Sequence, residues 1–163
     1  MSGTPCYVGL DVGGSTMKAG VVDDAGRPLG PAVSLPTEAH RGQDFGLERM
    51  CETIRAAAAA AGVGLDRVAA IGVATPGLMD IPAGVILDPP NLRPWKNVPV
   101  RDHVARTMLG REVVFGKDIV DHRLALHVVR PFEKGVLKYN DPKGAGVPPV
   151  TGEIQPVKPV CPV

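Results

Sequence analysis

The sequence has almost no charge imbalance: 18 basic and 17 acidic side chains leave a formal net charge of +1. That removes the electrostatic footprint by which a chain holds nucleic acid or an anionic membrane surface. Long apolar runs are missing too, because glycine, proline or a charge interrupts each one well short of a membrane span. The first residues lack a basic stretch followed by an apolar core, so no signal peptide is expected and the expected location is the cytoplasm. Cysteine is scarce, with Cys6, Cys51 and Cys161 odd in number and far apart. They match neither a disulfide framework nor Cys-x-x-Cys metal spacing, and reduced thiols are the simplest account. The common helix-opening phosphate fingerprints are absent as well: there is no Gly-x-x-x-x-Gly-Lys-Ser/Thr and no Gly-x-Gly-x-x-Gly.

What is present suits one domain with a real core, at 163 residues and 44% hydrophobic content. Two apolar runs, residues 6–12 and 17–22, flank a Gly13-Gly14-Ser15-Thr16 turn, and Asp23-Asp24-Ala25-Gly26 closes the second run. Such a pattern predicts two strands joined by a tight turn. Gly13 and Gly14 lack a Cβ, so positive φ and close approach to a ligand are both open to them. Successive amides in such a turn can form an anion-binding nest, to which Ser15 and Thr16 add hydroxyls and Lys18 a cation. Asp11, at the end of the first strand, can hold a hydrated Mg²⁺, because that ion keeps several waters and takes only one or two carboxylates. Together these residues make a candidate nucleotide-phosphate site. A lone Asp-x-Gly-Gly is also consistent with an ordinary hairpin turn carrying a buried or capping aspartate.

Further along, residues 27–35 can supply a third strand, placed at a sheet edge by Pro28 and Pro31. Residues 36–42 read as a surface loop with a solvated His40. Residues 44–61 predict a helix, with Asp44 as cap, Glu48 in the first turn and Gly62 as the stop. Leu47, Met50, Cys51, Ile54, Ala58 and Ala61 give it one apolar face. The small-apolar run at residues 67–74 suits a central strand covered on both faces. It ends in Thr75-Pro76-Gly77, where open α/β sheets bind ligands. The proline-stiffened stretch 88–95 holds Asn91 and the single tryptophan, Trp95, which could line a sugar pocket or plug the loop onto the core. A short helix over residues 100–109 and a strand over 112–115 follow. Three strands, a helix, a strand, a helix and a strand is the order of one half of a ribonuclease-H-like α/β fold.

Residues 7 to about 115 resemble the N-terminal domain of the ROK family of bacterial sugar kinases and related repressors, closest to its glucokinases. The resemblance is carried by Asp11-Val12-Gly13-Gly14-Ser15-Thr16-Met17-Lys18, by Gly72-Val73-Ala74-Thr75-Pro76-Gly77 with Asp80, and by Asn91-Leu92-x-x-Trp95. It implies an actin-like ATPase superfamily fold and phosphorylation of a hexose, glucose first, with ATP and Mg²⁺ as cofactors. By the same resemblance Asp11, Gly13, Gly14, Ser15, Thr16 and Lys18 form the ATP phosphate loop, with Asp11 the metal ligand, and Pro76, Gly77 and Asn91 border the sugar. Full-length relatives are expected to be homo-oligomers. The repressors carry a winged helix before the phosphate loop. That loop starts near residue 9 here, which favours the kinase branch.

After the last strand the family has an Asn-Asp-Ala-Asn motif whose aspartate is the catalytic base, whereas this chain has Gly116-Lys117-Asp118-Ile119-Val120. Asp118 stands where the base is expected, and a carboxylate suits the role. Lys117 replaces the sugar-binding asparagine, and a lysine beside the base lowers its pKa. The expected division is a kinase N-terminal domain at 1–116 and a non-matching segment at 117–163. No zinc motif is found there: Asp121, His122 and His127 are too sparse. From Pro131 onward, Pro142, Pro148, Pro149, Pro156, Pro159 and Pro162 predict an irregular, extended tail. Lysines also crowd the segment after residue 116, as a frameshift, truncation or fusion would produce. An alternative to an active kinase is therefore a non-catalytic remnant or pseudoenzyme that binds sugar or a partner.

Overall fold

The computed structural model describes residues 5–117. A five-stranded sheet has the order β3-β2-β1-β4-β7, built from β1 (Cys6–Val12), β2 (Thr16–Asp23), β3 (Val33–Pro36), β4 (Val68–Thr75) and β7 (Glu112–Lys117). A separate two-stranded ribbon joins β5 (Leu78–Asp80) to β6 (Val85–Asp88), and the helices are α1 (Gln43–Ala60) and α2 (Val100–Thr107). This is the expected α/β arrangement. The β1–β2 hairpin is antiparallel, with Cys6 opposite Asp23 and Val12 opposite Met17. β4 runs parallel to β1 on one side and to β7 on the other, so the carboxyl ends of all three strands meet at one sheet edge.

The core lies between the sheet and α1. Val8, Leu10 and Val12 of β1, Met17 and Val21 of β2, and Ile71 and Val73 of β4 are buried there with Met50, Cys51 and Ile54 of α1. Fully burying one such side chain contributes about 1.5–3 kcal/mol. α1 starts a residue earlier than predicted. Gly42 is its N-cap and makes no side-chain cap bond, while Asp44 sits inside the first turn, where its charge favours the helix dipole. Gly62 ends the helix at φ 66°, and the N–H groups of Gly62 and Val63 donate to the carbonyls of Ala59 and Ala58. Burial pushes the Cys6 and Cys51 thiols up from their ordinary pKa, so both stay protonated core residues rather than nucleophiles.

Two elements differ from the sequence reading. β3 forms over only four residues, at the edge, because the prolines before it cannot donate to a ladder; Pro28 contributes a single bridge to Val22. The β5–β6 ribbon lies between the Pro76–Gly77 turn and the 88–95 stretch, where no strand was expected. Its strands are short and half exposed, with Leu78 64% exposed, so no alternation marked them.

The turn after β2 carries a pH-dependent contact. The Asp23 carboxylate accepts from the backbone N–H groups of Ala25 and Arg27 and from the Arg27 guanidinium, at 2.8–2.9 Å. The Arg27 backbone bond, followed by its side chain and charge, holds Asp23 below its ordinary 3.8. A depressed folded-state pKa adds stability that is present above the unfolded value and fades as pH falls through the folded one. Asp23→Asn is therefore expected to lower the neutral plateau and so to flatten the fall into acid, below about pH 5, where the two proteins converge. Urea melts that keep the same acid slope in both proteins would reject this.

Candidate functional site

Of the predicted site residues that the structure describes, Asp11, the Gly13–Thr16 turn and the Pro76–Gly77 turn lie at the carboxyl ends of β1 and β4. Leu10 and Val12 face α1, so the intervening Asp11 emerges on the opposite face of the sheet, half-buried. Across that face a register row runs from Lys18 through Asp11 and Ala74 to Gly116. Lys18 is exposed. Ala74 and Gly116 keep the row low, and a Cβ built on Gly116 would meet nothing within 4 Å. A carboxylate and a lysine lie together where β1 ends, beside a surface that no other described residue fills at Gly116.

The turn between β1 and β2 is closed by the Gly13 N–H donating to the Thr16 carbonyl at 2.9 Å, so this amide is spent inside the turn. The N–H groups of Gly14 and Ser15 donate to no acceptor among the described residues, and the Ser15 and Thr16 side chains are exposed. The nest is therefore narrower than four successive amides. Neither Gly13 nor Gly14 has positive φ. Their glycine identity answers close approach instead. A Cβ on Gly13 would lie 2.8 Å from the Thr16 carbonyl oxygen, and one on Gly14 would lie 3.0 Å from the Asn91 carbonyl oxygen.

That second contact brings the Asn91 loop against the β1–β2 turn. Gly77, at φ 96°, makes a similar approach: its Cβ would lie 2.7 Å from the Pro89 Cα. Pro76 and Gly77 leave β4 at the same edge, so the turns after β1 and β4 and the 89–92 stretch form one cluster. Gly77→Ala is expected to lose about 1–3 kcal/mol through backbone strain and overpacking, and to shift the Pro89–Asn91 backbone. An unchanged melting temperature with unchanged Asn91 amide shifts would contradict that geometry.

Trp95 packs its ring into the core. It is 1% exposed, its indole N–H donates to the Ala39 carbonyl at 3.1 Å, and its ring occupies the space a Cβ on Gly46 of α1 would need. Of the two readings open to this tryptophan, the plug is the one that holds. A hollow of about 330 Å³ on the outside of the loop is lined by Asp88, Arg93, Pro94, Trp95 and Lys96, none of them a predicted site residue.

Thr37 was read as part of a plain surface loop, yet it is fully buried directly behind the turn. Its hydroxyl donates to the Gly13 carbonyl at 2.8 Å and its N–H to the Ser15 carbonyl at 2.9 Å. Nothing in local periodicity marks a threonine after a short edge strand. Asp118 and the tail from Pro131 lie outside the described residues. Among the described residues no cluster of three or more His, Cys, Asp or Glu could hold a metal, and no helix is long and apolar enough to cross a membrane.

Known proteins resemble this arrangement. A glucokinase from Thermotoga maritima is 29% identical over 111 residues, covering 68% of this chain and 33% of the relative. A ROK hexokinase structure from Thermus thermophilus superposes with a TM-score of 0.60 at 36% identity, covering 69% of this chain and 35% of that one. A ROK family glucokinase from Streptomyces griseus, solved with glucose and AMPPNP, gives 0.58 at 28% identity, covering 69% and 33%. The chain thus spans about a third of the length of these relatives. The ROK family profile matches residues 7–133, running further than the motifs at 11–95 and past the end of β7. With that match over most of its length, the chain belongs to the ROK family.

Proposed function

We propose that this chain is the phosphate-loop half of an ATP-dependent hexose kinase, with glucose the first sugar to test and its 6-hydroxyl the acceptor. One observation carries the reading: Gly14 of the Asp-x-Gly-Gly turn lies against Asn91, so the phosphate-side and sugar-side motifs share one edge of the sheet. The glucokinase and ROK kinase relatives support sugar phosphorylation as the reaction class.

In this reading the Gly14 and Ser15 amides, the Ser15 and Thr16 hydroxyls and Lys18 receive the transferred phosphates. Asp11 fits a Mg²⁺ that keeps most of its waters, because it offers one carboxylate beside the low Ala74–Gly116 surface, and a hydrated ion needs no cluster of acids. Bound there, the ion would supply positive charge against the phosphate oxygens. Pro76, Gly77 and Asn91 border the sugar. Asp118, the residue after β7, takes the proton of the attacking hydroxyl as general base. Phosphoryl transfer asks the protein mainly for positioning and charge stabilisation, and it requires a second wall that excludes water.

The test is a chimera joining residues 1–115 to the complete C-terminal part of a ROK glucokinase. Glucose-dependent ADP production is expected from it. A folded chimera that binds both ligands and turns over no hexose would reject the reading.

A further inference from the structure

We infer that Thr37 is a positioning residue for the phosphate turn, and that the segment 37–39 is a strut fixing that turn at a set distance from the Asn91 loop. The inference rests on the kinase reading for its functional meaning, but its geometry stands apart from it. At one end, Thr37 grips both sides of the turn through the Gly13 and Ser15 carbonyls. Those bonds occupy the Gly13 and Ser15 carbonyls, which would otherwise let the turn rotate, while the Gly14 and Ser15 N–H groups have no acceptor among the described residues. At the other end, the Ala39 carbonyl accepts from the Trp95 indole N–H. Between them, Glu38 is held in the left-handed region at φ 48° and accepts from Arg49 of α1 at 2.8 Å. Arg49 is only 15% exposed, so this ion pair is not a fully solvated one. The strut is thereby tied to the phosphate turn, to the main helix and to the tryptophan of the sugar-side loop. Trp95 and Asn91 belong to the same short stretch, and Asn91 touches Gly14, so the connections close a ring.

A hydroxyl is required at position 37 and a methyl is not. A valine there keeps the volume and removes the donor, leaving the Gly13 carbonyl without it. Serine keeps the donor and loses only the methyl. The experiment compares amide exchange in the full 163-residue chain for wild type, Thr37→Val and Thr37→Ser. The Gly13 amide and the amide of residue 37 are the reporters, and Val8 in β1 is the reference for global unfolding. In Thr37→Val both reporters are expected to exchange about tenfold faster relative to Val8, the usual consequence of one lost buried bond. Thr37→Ser is expected to stay within about twofold of wild type. Reporters that move only in step with Val8, or a serine variant behaving as the valine one, would overturn the inference.

A titration with MgADP, followed by the amide shifts of Gly14 and Ser15, separates this from the kinase reading. Wild type and Thr37→Ser are expected to reach half-saturation together, with Thr37→Val needing about tenfold more ligand. Equal midpoints in all three would overturn the positioning role. No shift at these amides in wild type would instead count against the phosphate reading, and the exchange comparison would still decide the clamp.

Discussion

The 163-residue polypeptide by itself is expected to release no glucose-dependent ADP above background and to bind MgADP only weakly. In the proposed kinase reading the described residues offer two amides with no acceptor among them, two exposed hydroxyls, a lysine and a half-buried aspartate. Facing water, each charge contact is worth about 1 kcal/mol or less. A few such contacts sum to a dissociation constant on the order of millimolar. Nothing among the described residues closes over the γ-phosphate, and exclusion of water is what makes preorganised charges effective. In the chimera with a ROK glucokinase C-terminal part, Asp11→Ala is expected to lower kcat by about a thousandfold, the upper range for losing one electrostatic contact to the reacting group. Coupled-enzyme assays and isothermal titration check both statements. Robust glucokinase turnover from the polypeptide alone would show that its remaining residues supply the missing wall.

The second large effect falls on the fold. Trp95→Ala is expected to cost about 3–5 kcal/mol, as for other large aromatic-to-alanine changes in packed cores. Small domains have only about 5–15 kcal/mol in total. The site has little means to collapse, because Gly46 leaves a notch in α1 shaped by the indole and a rigid helix backbone cannot close it. At about 4–8 °C per kcal/mol, the melting temperature should fall by more than about 10 °C. Trp95→Phe keeps most of the ring and loses the donor to Ala39, so a smaller loss, about 1–2 kcal/mol, is expected. Far-UV circular dichroism is the suitable probe, since the substitution removes the single tryptophan. A shift of only a degree or two for the alanine variant would mean that the 88–95 loop contributes little to holding the sheet and α1 together. The same variant frees Asn91 from its place beside Gly14, so fold and site are tested at once.

Local patterning was enough for the elements that carry their own signal. Alternating apolar residues around a Gly-Gly-Ser-Thr turn specified the β1–β2 hairpin, because a strand's side-chain period and a turn's small residues are visible within a dozen positions. Leu47, Met50, Cys51 and Ile54 announced the buried face of α1, and the continuous run before Pro76 announced a central strand, although among the described residues helices cover only one of its faces. The three ordered motifs at residues 11–18, 72–77 and 91–95 carried the family. The pairing of Asp11 with Lys18 came with the register of the hairpin in the structure.

Contacts between distant segments were decided only by the tertiary structure. No spacing rule says that the amide of Gly13 is consumed within its turn, that Thr37 reaches back to hold that turn, or that Gly46 exists to receive Trp95. Partner choice at such points depends on how sheet, helix and loops stack, and the same glycine or threonine reads identically in a free surface loop. The β5–β6 ribbon was hidden for a related reason: strands of three and four residues with solvent on one side have too few positions for a period to show. The sequence alone thus determined the elements long enough to show a period, and the glycines, hydroxyls and lysine of the β1–β2 turn. The tertiary structure decided which backbone groups of that turn are bonded, because Thr37 reaches it from beyond the next strand.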